Sequence, residues 1–437
     1  LLAGNPPLWW LAPVSTKLDY STRSERMLTQ RFVRPADWLD FGGLADIGPV
    51  EFFSAAHWQL YKGIALPYKS MLKLMLFEAY ATEYPAIRWV SDDIRQLIHG
   101  QEPISAEITD PYLLMMRRVE RHLQRRNEPK RLALARRAFY IKSGVMLSQY
   151  KRQTWKYVQM RQLIEEWGWS EAELVAIDGY RTWKLDRVIE ERNLLLSELS
   201  RSYRLLTDFS RQHVKQLPVR NNDLSLLGRK LQVSLERRPG KIDCVNPGIS
   251  KDLSADSLWL RHNQTQQDQQ TWELYLRPPE QATKAIRITR GPVDMLTWLA
   301  SNQVIDKHTR IDLPKLDGAA TDEHLKILSK LHAVIAACRE NPIPLRNFAR
   351  APQAKLSIVF INVMCHQHDF IDATDDPLNS GSEKHSRIKM IEHLQCNSWG
   401  QLQVDTYDGA EAPAAALCAH LDLRSNNTTQ FRLESIC

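Results

Sequence analysis

The sequence has no window of 18 consecutive apolar residues, so its hydropathy excludes a membrane-spanning helix. Its six cysteines (Cys244, Cys338, Cys365, Cys396, Cys418 and Cys437) are scattered, with no Cys-x-x-Cys pair. That spacing excludes a zinc ribbon or a disulfide framework and points to a reducing cytoplasm. The opening LLAGNPPLWWLAPV is apolar, but it holds three prolines and no basic leader, so it does not read as a signal peptide. The chain starts at Leu1 rather than at Met, and an upstream part is expected to have been removed. Without a secretion signal, the sequon Asn263-Gln264-Thr265 carries no weight. There is no internal repeat and no long low-complexity tract.

What is present suits a soluble protein of two or three domains: 437 residues, 43% apolar and 25% charged. The net charge of +7 is unevenly spread. Between Arg117 and Arg161 fourteen Lys and Arg face two Glu (Glu120 and Glu128), an excess of +12 that leaves −5 for the rest. Such an excess attracts nucleic acid, acidic membrane or a nucleoside triphosphate; its plain alternative is a solvated helix surface.

Residues 35–217 read as helices. Pro35 and Pro49 stand where helices start, and Gly42-Gly43 is a stop. Asp110-Pro111 is an N-cap followed by proline, opening a helix with Tyr112, Met115, Met116, Val119 and Leu123 on its apolar face. Ser170 with Glu173 makes a capping box. From Tyr180 to Leu217 there is neither Gly nor Pro. Leu185, Val188, Leu195, Leu199, Tyr203, Leu206 and Phe209 recur there at helical spacing, which predicts one helix of about 55 Å. After Pro218 strand-like runs appear: Lys241–Val245, Ser257–His262, Thr271–Arg277 and Lys284–Thr289, the second and third joined as a hairpin. Pro292–Asn302 and Thr321–Glu340 read as helices, and Lys355–Met364 as a buried strand. Met390–Gln395 and Gln401–Tyr407 flank a turn at Asn397-Ser398-Trp399-Gly400. Phe431–Cys437 resembles the start of a strand with nothing to pair onto.

At this point the motifs resemble the class I adenylate cyclases. EFFSAAHWQLYK (Glu51–Lys62) is similar to a family signature, Glu-Tyr-Phe-Gly, two small residues, then Leu-Trp-x-Leu-Tyr-Lys, with departures at Phe52, Ser54 and His57. WLDFGGL (Trp38–Leu44), LPYK (Leu66–Lys69), EAYATEYP (Glu78–Pro85), DPYLLM (Asp110–Met115) and RRAFYIK (Arg136–Lys142) follow in family order. So do WKLDRV (Trp183–Val188), SYR (Ser202–Arg204), RPGKIDCVNPGISKDLS (Arg238–Ser254) and DLPKL (Asp312–Leu316). A second signature survives weakly at Cys396-Asn397-Ser398-Trp399. The resemblance runs from Leu1 to about Gly409.

The resemblance implies cyclisation of ATP to cyclic AMP and pyrophosphate on a polymerase-β-like nucleotidyltransferase fold. Two Mg²⁺ would be held by Asp-x-Asp after a Gly-Ser turn. The chain contains no Asp-x-Asp, and Gly381-Ser382 is followed by Glu-Lys-His. Ala3-Gly4-Asn5 stands where the family has Ala-Gly-Lys. The expectation is therefore a fragment whose Mg²⁺ ligands lie upstream and which is inactive alone. The expected fold is α+β: 1–34 the end of a nucleotidyltransferase domain, 35–218 a helical domain, 224–437 an α+β domain. The regulatory part would begin near 320 and be truncated at the end.

Candidate nucleotide-binding residues are Lys62, Lys69, Lys73, Arg136, Arg137 and Lys142. Lys69 stands in a first helical turn, where free N–H groups favour anions; Lys73 follows one turn later, beside Leu72, Leu76, Ala79 and Tyr80. The alternative is that Lys62 complements a helix C-terminus and the others lie along the core edge. Arg136, Arg137 and Lys142 either extend the anion surface or form a solvated face. Phe52, Phe53, Trp58 and Tyr61 read as core, with adenine stacking as the alternative. Cys365, His366, His368 and Asp369 form a weak metal-like cluster. The implied partner is ATP, with a sugar phosphotransferase-system phosphocarrier as candidate regulator and neither membrane span nor nucleic acid expected. The family's phosphohistidine segment does not align, because the chain is short between Pro377 and Met390, so nothing transfers to His385 or His393. A second reading, from charge alone, is a basic helical nucleic-acid-binding or scaffold protein.

Overall fold

The computed structural model describes residues 22, 25–34, 48–99, 110–149, 154–214, 221–246, 248–264, 270–306, 308–312, 326–331, 333, 335, 343–361, 363, 390–408 and 430–433. Proline starts many of its helices. It occupies the first turn of α1 (Pro49–Gly63), α2 (Pro67–Ala81), α4 (Pro111–Arg125), α5 (Pro129–Ser143) and α10 (Pro292–Ser301). Its missing N–H is one of those a helix start leaves unbonded anyway. Between these lie α3 (Val90–His99), α6 (Trp155–Trp167), α7 (Glu171–Asp178), α8 (Leu185–His213) and α9 (Asn221–Leu235). The Asp110 carboxylate accepts from the N–H groups of Tyr112 and Leu113 at 2.9 and 2.8 Å. The capping box at Ser170 and Glu173 is formed in full.

The chain divides into two units, one of 1–180 and 194–220, the other of 181–193 and 221–437. The first is helical. Leu72, Met116, Val119, Leu123, Ala135 and Leu199 are buried in it. Phe52 meets Phe77 and Phe209 at ring distances of 5.1 and 4.7 Å. Among these apolar contacts sits a buried ionic network. The Glu78 carboxylate on α2 accepts from Arg131 on α5 at 2.6 and 3.1 Å, and Arg131 also donates to Glu198 on α8 at 2.7 Å. His122 on α4 lies 3.3 Å from Glu78.

The second unit is α+β. One sheet has the order β3-β2-β1-β4 (Arg287–Thr289, Gln270–Tyr275, Ser257–Gln264 and Arg310–Asp312). Its β1 and β2 form the expected antiparallel hairpin pair. The other sheet has the order β7-β6-β5-β8 (Leu402–Asp408, Met390–Asn397, Ala354–Ile361 and Gln430–Leu433). Its β6 and β7 pair antiparallel across the turn at Asn397. Every residue of α10 is buried. Its N-terminus is capped from β6: the Glu392 carboxylate accepts from Val293 and Asp294 N–H at 3.0 and 2.9 Å. A Cβ on Gly291 would fall 2.1 Å from that carboxylate, so only glycine fits there.

Several expectations need correction. The long helix runs Leu185–His213, not 180–217, because Tyr180–Thr182 form a separate 3-10 turn. The Arg181 carbonyl accepts from Lys251 N–H at 2.8 Å and Ser250 Oγ at 3.0 Å instead of serving a helix. Tyr203 and Tyr112 are exposed rather than on apolar faces. Lys241–Val245 is not a strand. Lys241 makes one bridge to Gln403, and Asn302 takes up the backbone of Asp243 and Val245. The Lys284–Thr289 run reaches strand form only at 287–289. At the C-terminal end, β8 does have a partner, pairing parallel with β5 from Leu356 to Val359. Gly42-Gly43, Gly381-Ser382, His385 and the Cys365–Asp369 cluster lie outside the described residues, as do 1–21 and much of 321–340.

Candidate functional site

The helix carrying EFFSAAHWQLYK has two faces. Phe52, Ala56 and Leu60 are buried, whereas Trp58 is 42% exposed, which corrects its reading as core. Phe53 and Tyr61 are half-buried. Trp58 stacks on Tyr61 at 5.1 Å, and the Lys62 ammonium lies 5.1 Å from the Trp58 ring centre. The lysine that ends the helix is thus held over an aromatic face. His57 stands where the family pattern has leucine; it is buried, and its Nε2 has no hydrogen-bond partner among the described residues. Burial lowers its pKa.

Lys69 is exposed in the first turn of α2, and Lys73 follows one turn on, half-buried. Burial first, then the charges of Lys69 and Lys62, hold the Lys73 ammonium below its ordinary pKa. Lys142, in the last turn of α5, sits 3.4 Å from the Tyr112 ring centre. It is depressed likewise by burial, then by Lys69 and Lys73, against a raising contribution from Asp110; Lys156 on α6 adds to the depression. Four helices of the first unit therefore bring Lys62, Lys69, Lys73, Lys142 and Lys156 into one electrostatic neighbourhood. None of the five forms an ion pair with a described residue. Sequence reasoning missed Lys156, although it falls inside the basic stretch.

The arginines of that stretch behave differently. Arg136 donates to Glu120 at 2.9 Å and lies over Trp167. Arg117 pairs with Glu166 at 2.6 Å, Arg118 with Glu83, and Arg131 with Glu78, Glu128 and Glu198. Arg137 is half-buried on α5 and has interactions of its own. Five arginines of the stretch (Arg117, Arg118, Arg126, Arg131 and Arg136) are therefore paired with carboxylates, whereas its described lysines, with Arg121, Arg125 and Arg161, form no ion pair with a described residue. A cluster of unopposed ammoniums at helix starts and ends is suited to a multiply charged anion such as a triphosphate.

Residues 47–246, which hold the whole lysine cluster, match the family described as adenylate cyclase, class-I, second domain. Over that segment the chain matches the class I adenylate cyclases. It is 33% identical over 432 residues to an adenylate cyclase of Salmonella typhimurium, 32% over 432 residues to one of Escherichia coli strain K12, and 29% over 440 residues to one of Proteus mirabilis. Each match covers 95% of this chain and 50% of the relative, so the chain spans about half the length of the curated cyclases it matches. No solved structure matches it. Among the described residues no helix is long and apolar enough to cross a membrane.

Two family motifs have structural duties in the second unit. In RPGKIDCVNPGISKDLS, Asp243 pairs with Arg192 at 2.8 Å and accepts from Trp298 Nε1 at 3.0 Å. Lys241 donates to the Val233 and Glu236 carbonyls, closing the C-terminus of α9. Cys396-Asn397-Ser398-Trp399 makes the β6–β7 turn, with Trp399 Nε1 donating to Asn347 O at 2.9 Å. Among the described residues no group of three or more His, Cys, Asp or Glu is arranged to hold a metal ion. They do not provide the two-Mg²⁺ site that the family resemblance implies.

Proposed function

We propose that this chain is the part of a class I adenylate cyclase that holds the triphosphate of ATP, through Lys62, Lys69, Lys73 and Lys142. The observation that carries the reading is the lysine cluster, in which no member forms an ion pair with a described carboxylate and which lies within the family-matched region. In the reaction the 3′-oxygen of ATP bonds to the α-phosphorus. The bond from that phosphorus to the bridging oxygen breaks, pyrophosphate leaves with the electron pair, and the hydroxyl proton passes to solvent. Negative charge grows on the leaving pyrophosphate, and fixed ammoniums neutralise it where it develops. Mg²⁺ is the cofactor assigned to the parent enzyme, on carboxylates other than the described ones. The α+β unit is assigned a regulatory role, with a phosphotransferase-system phosphocarrier as its partner, and the setting is cytoplasmic.

Nothing favours the nucleic-acid-binding or scaffold reading, whose basis was the charge of the +12 stretch, and five of the arginines in that stretch are paired with carboxylates. The test is cyclic AMP formation by the parent enzyme with Lys69→Gln and Lys73→Gln. Hydrogen bonds to charged groups contribute about 1.5–3 kcal/mol, so each change should raise the KM for ATP roughly tenfold or more. An unaltered KM in both variants refutes the assignment.

A further inference from the structure

A cavity of about 170 Å³ opens among α4, α5 and α6 of the first unit. Phe139, Met160 and Leu163 form buried wall, and Trp155 closes one side at the surface. Of its polar lining, Asp110 is committed to capping α4. Ser143 donates to the Tyr140 carbonyl at 2.7 Å and accepts from Val145 N–H at 3.1 Å. Besides the Tyr112 hydroxyl and the Trp155 indole N–H, three polar side chains remain: Lys142, Lys156 and Gln159. Lys142 and Lys156 lie over the rings of Tyr112 and Trp155 without a carboxylate partner, and Gln159 makes no hydrogen bond with a described residue.

Size and chemistry narrow the occupant. Ligand pockets usually run from about 300 Å³, so this cavity suits a flat ring system and leaves the remainder of a ligand outside. The outside is where the unopposed lysines stand. An aromatic and apolar slot favours a planar heterocycle. A free carboxamide offers one donor and one acceptor side by side, the pattern with which glutamine reads adenine.

We propose that this cavity seats the adenine ring of the nucleotide, with Trp155 as the stacking wall, Gln159 as the group that reads the base, and Lys142 bridging from the base pocket to the phosphates. The inference rests on the triphosphate reading above and adds to it the base subsite and the preference for adenine over guanine. Lys142 belongs to both: it lines the cavity, and it shares the electrostatic neighbourhood of Lys69 and Lys73.

Titration calorimetry of the 437-residue chain with ATP, GTP and inorganic tripolyphosphate separates the two readings. ATP should bind about tenfold tighter than tripolyphosphate, within the range for stacking one base. Trp155→Ala should bring ATP close to tripolyphosphate, and Gln159→Leu should remove the preference of ATP over GTP. Both variants should keep the tripolyphosphate affinity, while Lys69→Gln with Lys73→Gln weakens all three ligands. Gln159 is half-buried, so its replacement keeps the fold and decides the matter if Trp155→Ala does not fold. Equal affinity of the unaltered chain for ATP and tripolyphosphate overturns the base pocket and leaves the phosphate reading standing. Absence of binding by any of the three overturns both.

Discussion

Replacing Glu78 by glutamine removes one negative charge from the centre of the helical unit while keeping the side-chain shape. Glu78 is 2% exposed, and its carboxylate accepts from both terminal nitrogens of Arg131. Burial alone would raise its pKa, but the hydrogen bonds and charges of His122 and Arg131 outweigh burial and lower it from 4.5 to about 2. At about 1.36 kcal/mol per tenfold change in proton affinity, that difference stabilises the fold by about 3 kcal/mol at neutral pH. The mutational argument gives a similar size. Removing one member of a buried ion pair costs about 3–5 kcal/mol, and Arg131 keeps Glu198 and Glu128, which puts Glu78→Gln at the lower end.

The two estimates come apart as pH changes. A carboxyl whose folded pKa is depressed stabilises the fold fully above its unfolded pKa. The contribution is lost as pH falls from 4.5 towards about 2. By pH 3 more than half of it, about 2 kcal/mol, is gone. Urea unfolding of the unaltered chain and of Glu78→Gln, followed by circular dichroism at pH 7 and at pH 3, measures the gap. It should be about 3 kcal/mol at pH 7 and about 1 kcal/mol at pH 3. A gap of equal size at both values refutes the reasoning, because the glutamine would then be disturbing packing and not an ionised pair.

Two further outcomes follow from single side chains. His57→Leu should raise stability by about 1–2 kcal/mol, since it removes a buried ring nitrogen without a partner, and a lower thermal midpoint would show that the imidazole has one. Gly291→Ala should destabilise the α+β unit by about 2 kcal/mol or more in urea, because its methyl group would strike the Glu392 carboxylate that caps α10.

Much of the local structure was legible because local chemistry decides it. Asp110 before Pro111, Ser170 three residues ahead of Glu173, and Asn397 at the head of a tight turn each act within a few residues of themselves. The misreadings share one cause, a partner distant in sequence. The Arg181 carbonyl is taken by residues near 250, so α8 starts late. Asn302 satisfies the backbone around Asp243 and Val245, so a strand-like run is no strand. The pairing of β8 with β5 joins segments more than 70 residues apart, beyond any periodicity. The site was half legible for the same reason. Lys69 and Lys73 share a helix edge that spacing reveals, but nothing in spacing puts Lys142 or Lys156 beside them. Nor could charge counting tell that Arg131 would meet Glu78, 53 positions away.

The division between the two kinds of cation is itself informative. Within the same helices Arg117, Arg118, Arg131 and Arg136 take carboxylates and the described lysines take none. A guanidinium offers a fixed fork that fits a buried carboxylate, whereas an ammonium is a mobile point charge. Lys73 and Lys142 also carry a cost, because burial and their lysine neighbours disfavour the charged form. A lysine whose folded pKa is depressed destabilises the fold at neutral pH, and the penalty vanishes only above the ordinary 10.5. Carboxylates such as Glu120 and Glu128 lie on the same helical scaffold, yet they neutralise arginines and leave the lysines unopposed. On the proposed reading, a fold that accepts such repulsion at one edge, next to a cavity of base size, does so for an anion that arrives from outside.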